Sequence, residues 1–275
     1  FYGCYNLSNI TIPDNVTSIG ADAFSYCYSL TSINLPNNLT TISNGVFHYC
    51  TSLTNITIPD SVTSIGNLAF KYCRNLENIN IPDSVTSIGE EAFFGCRNLT
   101  SIYLPDSLIS IRDRAFYSCI SLNNISIPDS VTSINKQAFS RCSALKSIKL
   151  PNNLTVIPYG LFYGCYNLSN ITIPDNVTSV GADAFRDCNS LINITIPDSV
   201  TFIGNLAFYC CFKLKNIAIP DSVTSIGEEA FFGCLSLTSI NLPNNLSTIN
   251  ECTFRNCASL TNITIPDSVT SIGKN

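Results

Sequence analysis

Methionine and tryptophan are absent from the 275 residues, histidine occurs once, at His48, and only 12% of the side chains are charged. Such scarcity removes most of the groups that run acid–base chemistry. No Ser/His/Asp set and no pair of carboxylates can be assembled around His48, so the chain is read as noncatalytic, with no catalytic residue and no cofactor assigned. No apolar run approaches the roughly 20 residues that cross a bilayer, so a transmembrane segment is not expected in this stretch, and no segment of signal-peptide type opens it. The net charge of −5 comes without a basic arm, which argues against a nucleic acid partner. The 45% hydrophobic content excludes a disordered chain.

What is present is a beat. Prolines fall at 13, 36, 59, 82 and onward to 266 in equal steps, with Pro158 alone outside the series. Cysteine keeps the same step from Cys4 to Cys257, and phenylalanine from Phe1 to Phe254. The sixteen residues IPDSVTSIGEEAFFGC at 81–96 return unchanged at 219–234, and residues 1–24 match 162–185 except at Ile19 and Val180. A period between 20 and 50 residues signals a solenoid, in which a unit too small to close a core buries its apolar face against its neighbours. About twelve units of 23 residues therefore form a single array over 1–275, read as a fragment without its caps and flanks. Its open ends would expose apolar core, which predicts either covering flanks or end-to-end self-association.

Within a unit, Asn-Ile-Thr-Ile alternates with a period of two, which predicts a strand with both isoleucines inward. Proline ends that strand, because it has no N–H for the ladder. The Asp or Asn after it suits a turn. The shorter alternation in VTSIG predicts a second strand, and EEAFFGC a helical turn on the opposite side with its Phe in the core.

The phrases LTSIYLPDSLISI (99–111) and IPDSVTSIGEEAFFGCRNLTSI (81–102) resemble the leucine-rich repeat, specifically the BspA-like class of microbial surface proteins. The resemblance covers the whole chain. It implies a leucine-rich repeat solenoid, β-rich, with a parallel sheet on one face and short second strands and helical turns on the other. It also implies a cell-surface or secreted module that binds extracellular or host proteins, or glycans, in the manner of an adhesin. The competing reading is a structural spacer or stalk with no ligand, favoured by the monotony of the repeats.

Each row of equivalent residues has a plain reading and a functional one. One phased cysteine per repeat makes a line, whereas metal sites need ligands converging on one point, so no metal site is assigned and the phased thiols are read as free and buried. The off-phase Cys210 and Cys252 are expected to be more exposed, with a strained Cys210–Cys211 disulfide as the alternative. The Asp row after proline is read as turn-forming, with calcium as the competing role. Asn-x-Ser/Thr sequons such as Asn9, Asn38, Asn55 and Asn262 come with the framework. His48 is read as surface filler.

On the outer face of the long sheet, the residue before the phased Ile is always Asn or Ser, which suggests a hydrogen-bonded ladder. The residue after it varies, and Tyr103 and Lys149 depart furthest from the polar background. Tyr103, Ser126, Lys146 and Lys149 are therefore the candidate ligand-binding residues.

Overall fold

The computed structural model describes residues 1–275 and contains strands and turns but no helix. Two compact units are distinguished, Phe1–Leu145 and Lys146–Asn275. Each is a parallel β-solenoid with one sequence repeat per coil, so that equivalent residues of successive coils, such as Thr63 and Thr86 or Thr178 and Thr201, are hydrogen-bonded to each other.

In the first unit, the predicted Asn-Ile-Thr strands appear at Asn9–Thr11, Ser32–Asn34, Asn78–Asn80 and Ser101–Tyr103, with Ser101 also bridged to Asn124. The second strands, two residues each, form one parallel sheet of five from Thr41–Ile42 to Ser133–Ile134. In the second unit, the long row runs as four strands from Asn193–Thr195 to Asn262–Thr264, beside a pair at Ser147–Ile148 and Asn170–Ile171. Pairing is in register throughout, Ile79 opposite Ile102 and Ile217 opposite Ile240. Register is fixed because a slip of one residue would turn every inward Ile to solvent.

The core is a set of rows rather than a cluster. Leu76, Leu99 and Leu122 line one, and Val62, Val85 and Val131 another, all fully buried. Phenylalanine rings stack nearly flat along the axis, Phe70 on Phe93 at 5.3 Å and Phe93 on Phe116 at 5.4 Å between centroids. Phe185, Phe208 and Phe231 repeat this in the second unit at 5.3 Å.

The expected helical turn is not a helix. In 89–96, Gly89 O accepts from Ala92 N, Glu91 O from Phe94 N and Phe93 O from Cys96 N, so three β-turns overlap. Glu91 (φ 53°) and Gly95 (φ 70°) adopt the left-handed conformation, which breaks any run of right-handed helix. The reason lies in the next coil. The N–H groups of Glu91, Phe93 and Gly95 donate to the carbonyls of Asp113, Ala115 and Tyr117 at 2.8–2.9 Å, and a helix would have turned them inward along its own axis. On the strand side the bonds run the other way, Thr86 N and Gly89 N donating back to Thr63 and Ile65. Each coil is thus stitched to both neighbours by different parts of its backbone.

Candidate interaction face

Several kinds of side-chain row emerge from this frame, and they separate structural from available chemistry. Past the exposed Cys4 of the first coil, the phased cysteines turn inward, and their Sγ donates to a phenylalanine carbonyl one coil back: Cys73 to Phe47 at 3.1 Å, Cys96 to Phe70 at 3.1 Å, Cys188 to Phe162 at 3.3 Å and Cys211 to Phe185 at 3.2 Å. That carbonyl already accepts the backbone N–H of the cysteine in its own coil, as Phe70 O does from Cys73 N at 3.0 Å, so the thiol is a second donor that ties one coil to the next. Burial pushes these thiols well above the ordinary cysteine range, as at Cys73, Cys119, Cys188, Cys211 and Cys234. Cys210 is half-exposed at a left-handed corner (φ 57°) while Cys211 is turned into the core. Cys252 corrects the expectation of exposure: it occupies the left-handed corner two residues before Phe254, where the following segment covers it and Lys274 O accepts its N–H.

The ladder expected from the Asn/Ser row of the long sheet is slight, Ser101 Oγ reaching Asn78 Oδ1 at 3.4 Å and Ser239 Oγ reaching Asn216 Oδ1 at 3.5 Å. A stronger one runs through the serine after Pro-Asp. Ser107 Oγ donates to Val85 O at 2.8 Å, Ser130 to Leu108 O at 2.8 Å and Ser222 to Val200 O at 2.7 Å. Where Asn replaces that Ser, the amide serves instead, Asn176 Nδ2 to Asn152 O and Asn245 Nδ2 to Asp221 O, both at 2.9 Å. Several sequon asparagines are thereby given structural work. We expect Ser107→Ala to lower stability by about 1 kcal/mol through the lost hydrogen bond and the part-buried carbonyl left behind, read from the urea midpoint at unchanged slope.

The aspartate row is a turn row: Asp221 Oδ1 accepts from the Asn244 backbone N–H at 2.9 Å. His48 is half-buried rather than on the surface. Its ring lies 5.4 Å from Tyr26 and 4.6 Å from Tyr49, Nε2 has no hydrogen-bond partner, and loss of solvent lowers its pKa. A neutral imidazole packed among tyrosines is the physical consequence.

The candidate binding residues all lie on or beside the long-sheet rows. In the first unit, the Tyr103 ring is 54% exposed and stands beside Ser126 in a shallow groove shared with Asn80 and Asn124. Its hydroxyl is 3.5 Å from Asp83 Oδ1, and that carboxylate, ahead of desolvation and Asp106, raises the phenol above its usual range, so it remains a donor at neutral pH. In the second unit, Lys149 lines a separate groove with Asn152, Asn170 and Thr172. Lys146 is exposed at the start of the same turn-to-strand segment, its carbonyl accepting from Ser169 N at 3.0 Å. No group of three His, Cys, Asp or Glu side chains converges as a metal site would require.

A row not anticipated is the aromatic one ahead of the cysteines. Tyr26, Tyr49 and Tyr72 stack at 4.6–5.1 Å, and Phe94 then continues to Tyr117 at 4.7 Å. Gly95 allows the passage between them, since a Cβ there would meet Tyr72 at 2.7 Å. Cations sit over these rings, Lys71 4.9 Å from Phe94 and Arg74 5.6 Å from Tyr72. The signal was visible as Tyr or Phe one or two places before successive cysteines.

This framework has known counterparts. A family model described as the BspA type leucine-rich repeat region matches residues 1–82, 63–190 and 155–275, together the whole chain. The chain belongs to the BspA-type leucine-rich repeat family. Among solved structures, a leucine-rich repeat protein of Bacteroides ovatus is 35% identical with a TM-score of 0.87, over 99% of this chain and 76% of that one. A leucine-rich cell surface protein of Faecalibacterium prausnitzii is 31% identical with a TM-score of 0.60, over 93% and 78%. The pneumococcal vaccine antigen PcpA, 22% identical with a TM-score of 0.62 over 97% and 84%, shares the fold. Among curated proteins there is no match. No helix of this BspA-type chain is long and apolar enough to cross a membrane.

Proposed function

We propose that this BspA-type array is a noncatalytic binding module of a cell-surface or secreted protein, and that it engages extracellular proteins through the outer face of its long-sheet strands. The observation that carries the reading is Tyr103: a large ring left exposed on a face that is otherwise Asn, Ser and Thr in the first unit, with its hydroxyl oriented by Asp83. Tyrosine combines large contact area with few rotatable bonds, which makes it effective at binding hot spots. Ser126 accompanies it, and Lys146 and Lys149 give the second unit its own departure from the uniform face. The cell-surface description of the Faecalibacterium relative and the antigen description of PcpA support the location.

The test is saturation binding of the chain to a panel of extracellular matrix proteins and host cell surfaces, with Tyr103→Ala/Lys149→Ala in parallel. The expected result is saturable binding weakened about tenfold or more in the double variant, the loss typical of a hot-spot side chain. Failure to bind any panel member would favour the spacer reading, which the hydrogen-bonded Ser and Thr rows support because they serve length and rigidity alone.

A further inference from the structure

A second exposed surface lies away from the long-sheet face, on the β-turn that follows each phased cysteine. In the first unit this turn carries Arg74, Arg97 and Ile120 at equivalent positions of three successive coils. The turns are closed by Leu76 N to Cys73 O at 3.2 Å and Leu99 N to Cys96 O at 3.3 Å, and Asn98 N donates to Arg74 O at 3.0 Å, which locks the two arginines in register. Adjacent coils are about 4.8 Å apart, so the two arginines stand at equivalent positions of neighbouring rungs. Both residues are exposed, and neither forms an ion pair; the Lys71–Glu91, Arg114–Glu91 and Lys136–Asp113 bridges consume other cations. Like charges on facing rungs are unfavourable, and in a chain with only 12% charged residues the pairing asks for a counter-charge. The next rung replaces the charge with Ile120, 42% exposed.

We propose that this row is a second docking site, for an acidic peptide segment of a protein partner in which carboxylates are followed by an apolar side chain. Arginine presents a planar fork that binds carboxylate in two-point fashion, and Arg74 is oriented for this by the Tyr72 ring beneath it. Exposed Ile120 supplies the apolar end. A sulfated glycan could answer the two arginines but has no apolar side chain for Ile120, which is why a peptide is favoured.

The probe is a fluorescein-labelled peptide of four glutamates followed by two leucines, titrated with the whole chain and followed by anisotropy. Saturable binding is expected, weakened about tenfold or more by Arg74→Glu/Arg97→Glu, and severalfold by Ile120→Ser, while Lys213→Glu/Lys215→Glu, exposed on the second unit, leaves it unchanged. Far-UV circular dichroism and the urea midpoint show that each variant is folded. Three results would overturn the proposal: no saturable binding, equal weakening by the lysine variant, or insensitivity to Ile120→Ser together with tighter binding of heparin. The last would make the row a general polyanion surface.

Discussion

Raised above pH 9, the protein is expected to lose stability steeply, in the window between the ordinary thiol pKa near 8.5 and the onset of tyrosine and lysine titration near 10. The cause is the cysteine row. Burial raises Cys50, Cys73, Cys96 and Cys119 in the first unit and Cys188, Cys211 and Cys234 in the second. A thiol whose pKa is raised on folding keeps its proton when folded and surrenders it when unfolded. Its stabilising effect is therefore complete below about pH 8.5 and is lost progressively as pH climbs toward the folded value. Each such group contributes about 1.4 kcal/mol per pH unit once the unfolded thiol is ionised, so seven of them steepen the fall to roughly 10 kcal/mol per pH unit. Urea midpoints measured across pH 7.5 to 10 give the slope directly, and Cys96→Ala should reduce it by one proton while the Phe70 carbonyl keeps the Cys73 N–H as its donor. A midpoint that stays flat to pH 10 would contradict the assignment of the thiols as buried and protonated. In the folded state at neutral pH, exposed Cys4 and half-exposed Cys210 should react first with a thiol reagent.

The second large effect is expected from Phe93→Ala. Phe93 is fully buried with a ring on either side, so truncation leaves a cavity and removes both the Phe70 and the Phe116 stacking contacts. A loss of about 3–5 kcal/mol is expected for such a substitution. In a linear array each coil contacts only its neighbours, so the damage should concentrate between about residues 64 and 120 and lower cooperativity instead of weakening the chain uniformly. Phe93→Leu, closer in volume, should recover most of the loss. A Phe93→Ala variant that melts within about 1 kcal/mol of the parent would mean the ring stack is not a structural axis.

The parts of this fold that were legible in the sequence are those fixed by period. Pro82, Cys96 and Phe93 recur once per repeat because each occupies one geometrical role per coil, and that alone places Ile79 opposite Ile102. The second strands were legible too, since VTSIG alternates. The turn segment was not: EEAFFGC has helix-forming composition, and only the neighbouring coil's carbonyls, at Asp113, Ala115 and Tyr117, draw its N–H groups outward. Local propensity lost to a tertiary hydrogen-bond demand. The serine ladder was obscured in a similar way, because Ser107 in PDS looks like one more turn residue until Val85 O is placed beneath it. On the functional side, Tyr103 stood out by type alone, whereas the Arg74–Arg97–Ile120 row becomes visible only when coils are superposed and ion pairs assigned.

Each coil is bonded to its neighbours on two sides, by the strands and by the left-handed turns. Residue-resolved amide hydrogen exchange tests it most directly. Protection is expected to recur once per coil, with Glu91, Phe93 and Gly95 protected as strongly as the strand amides of Ile79 and Ile102. Rapid exchange at Glu91, Phe93 and Gly95 with slow exchange confined to the strands would contradict it, and would return the turn segment to an unpaired loop.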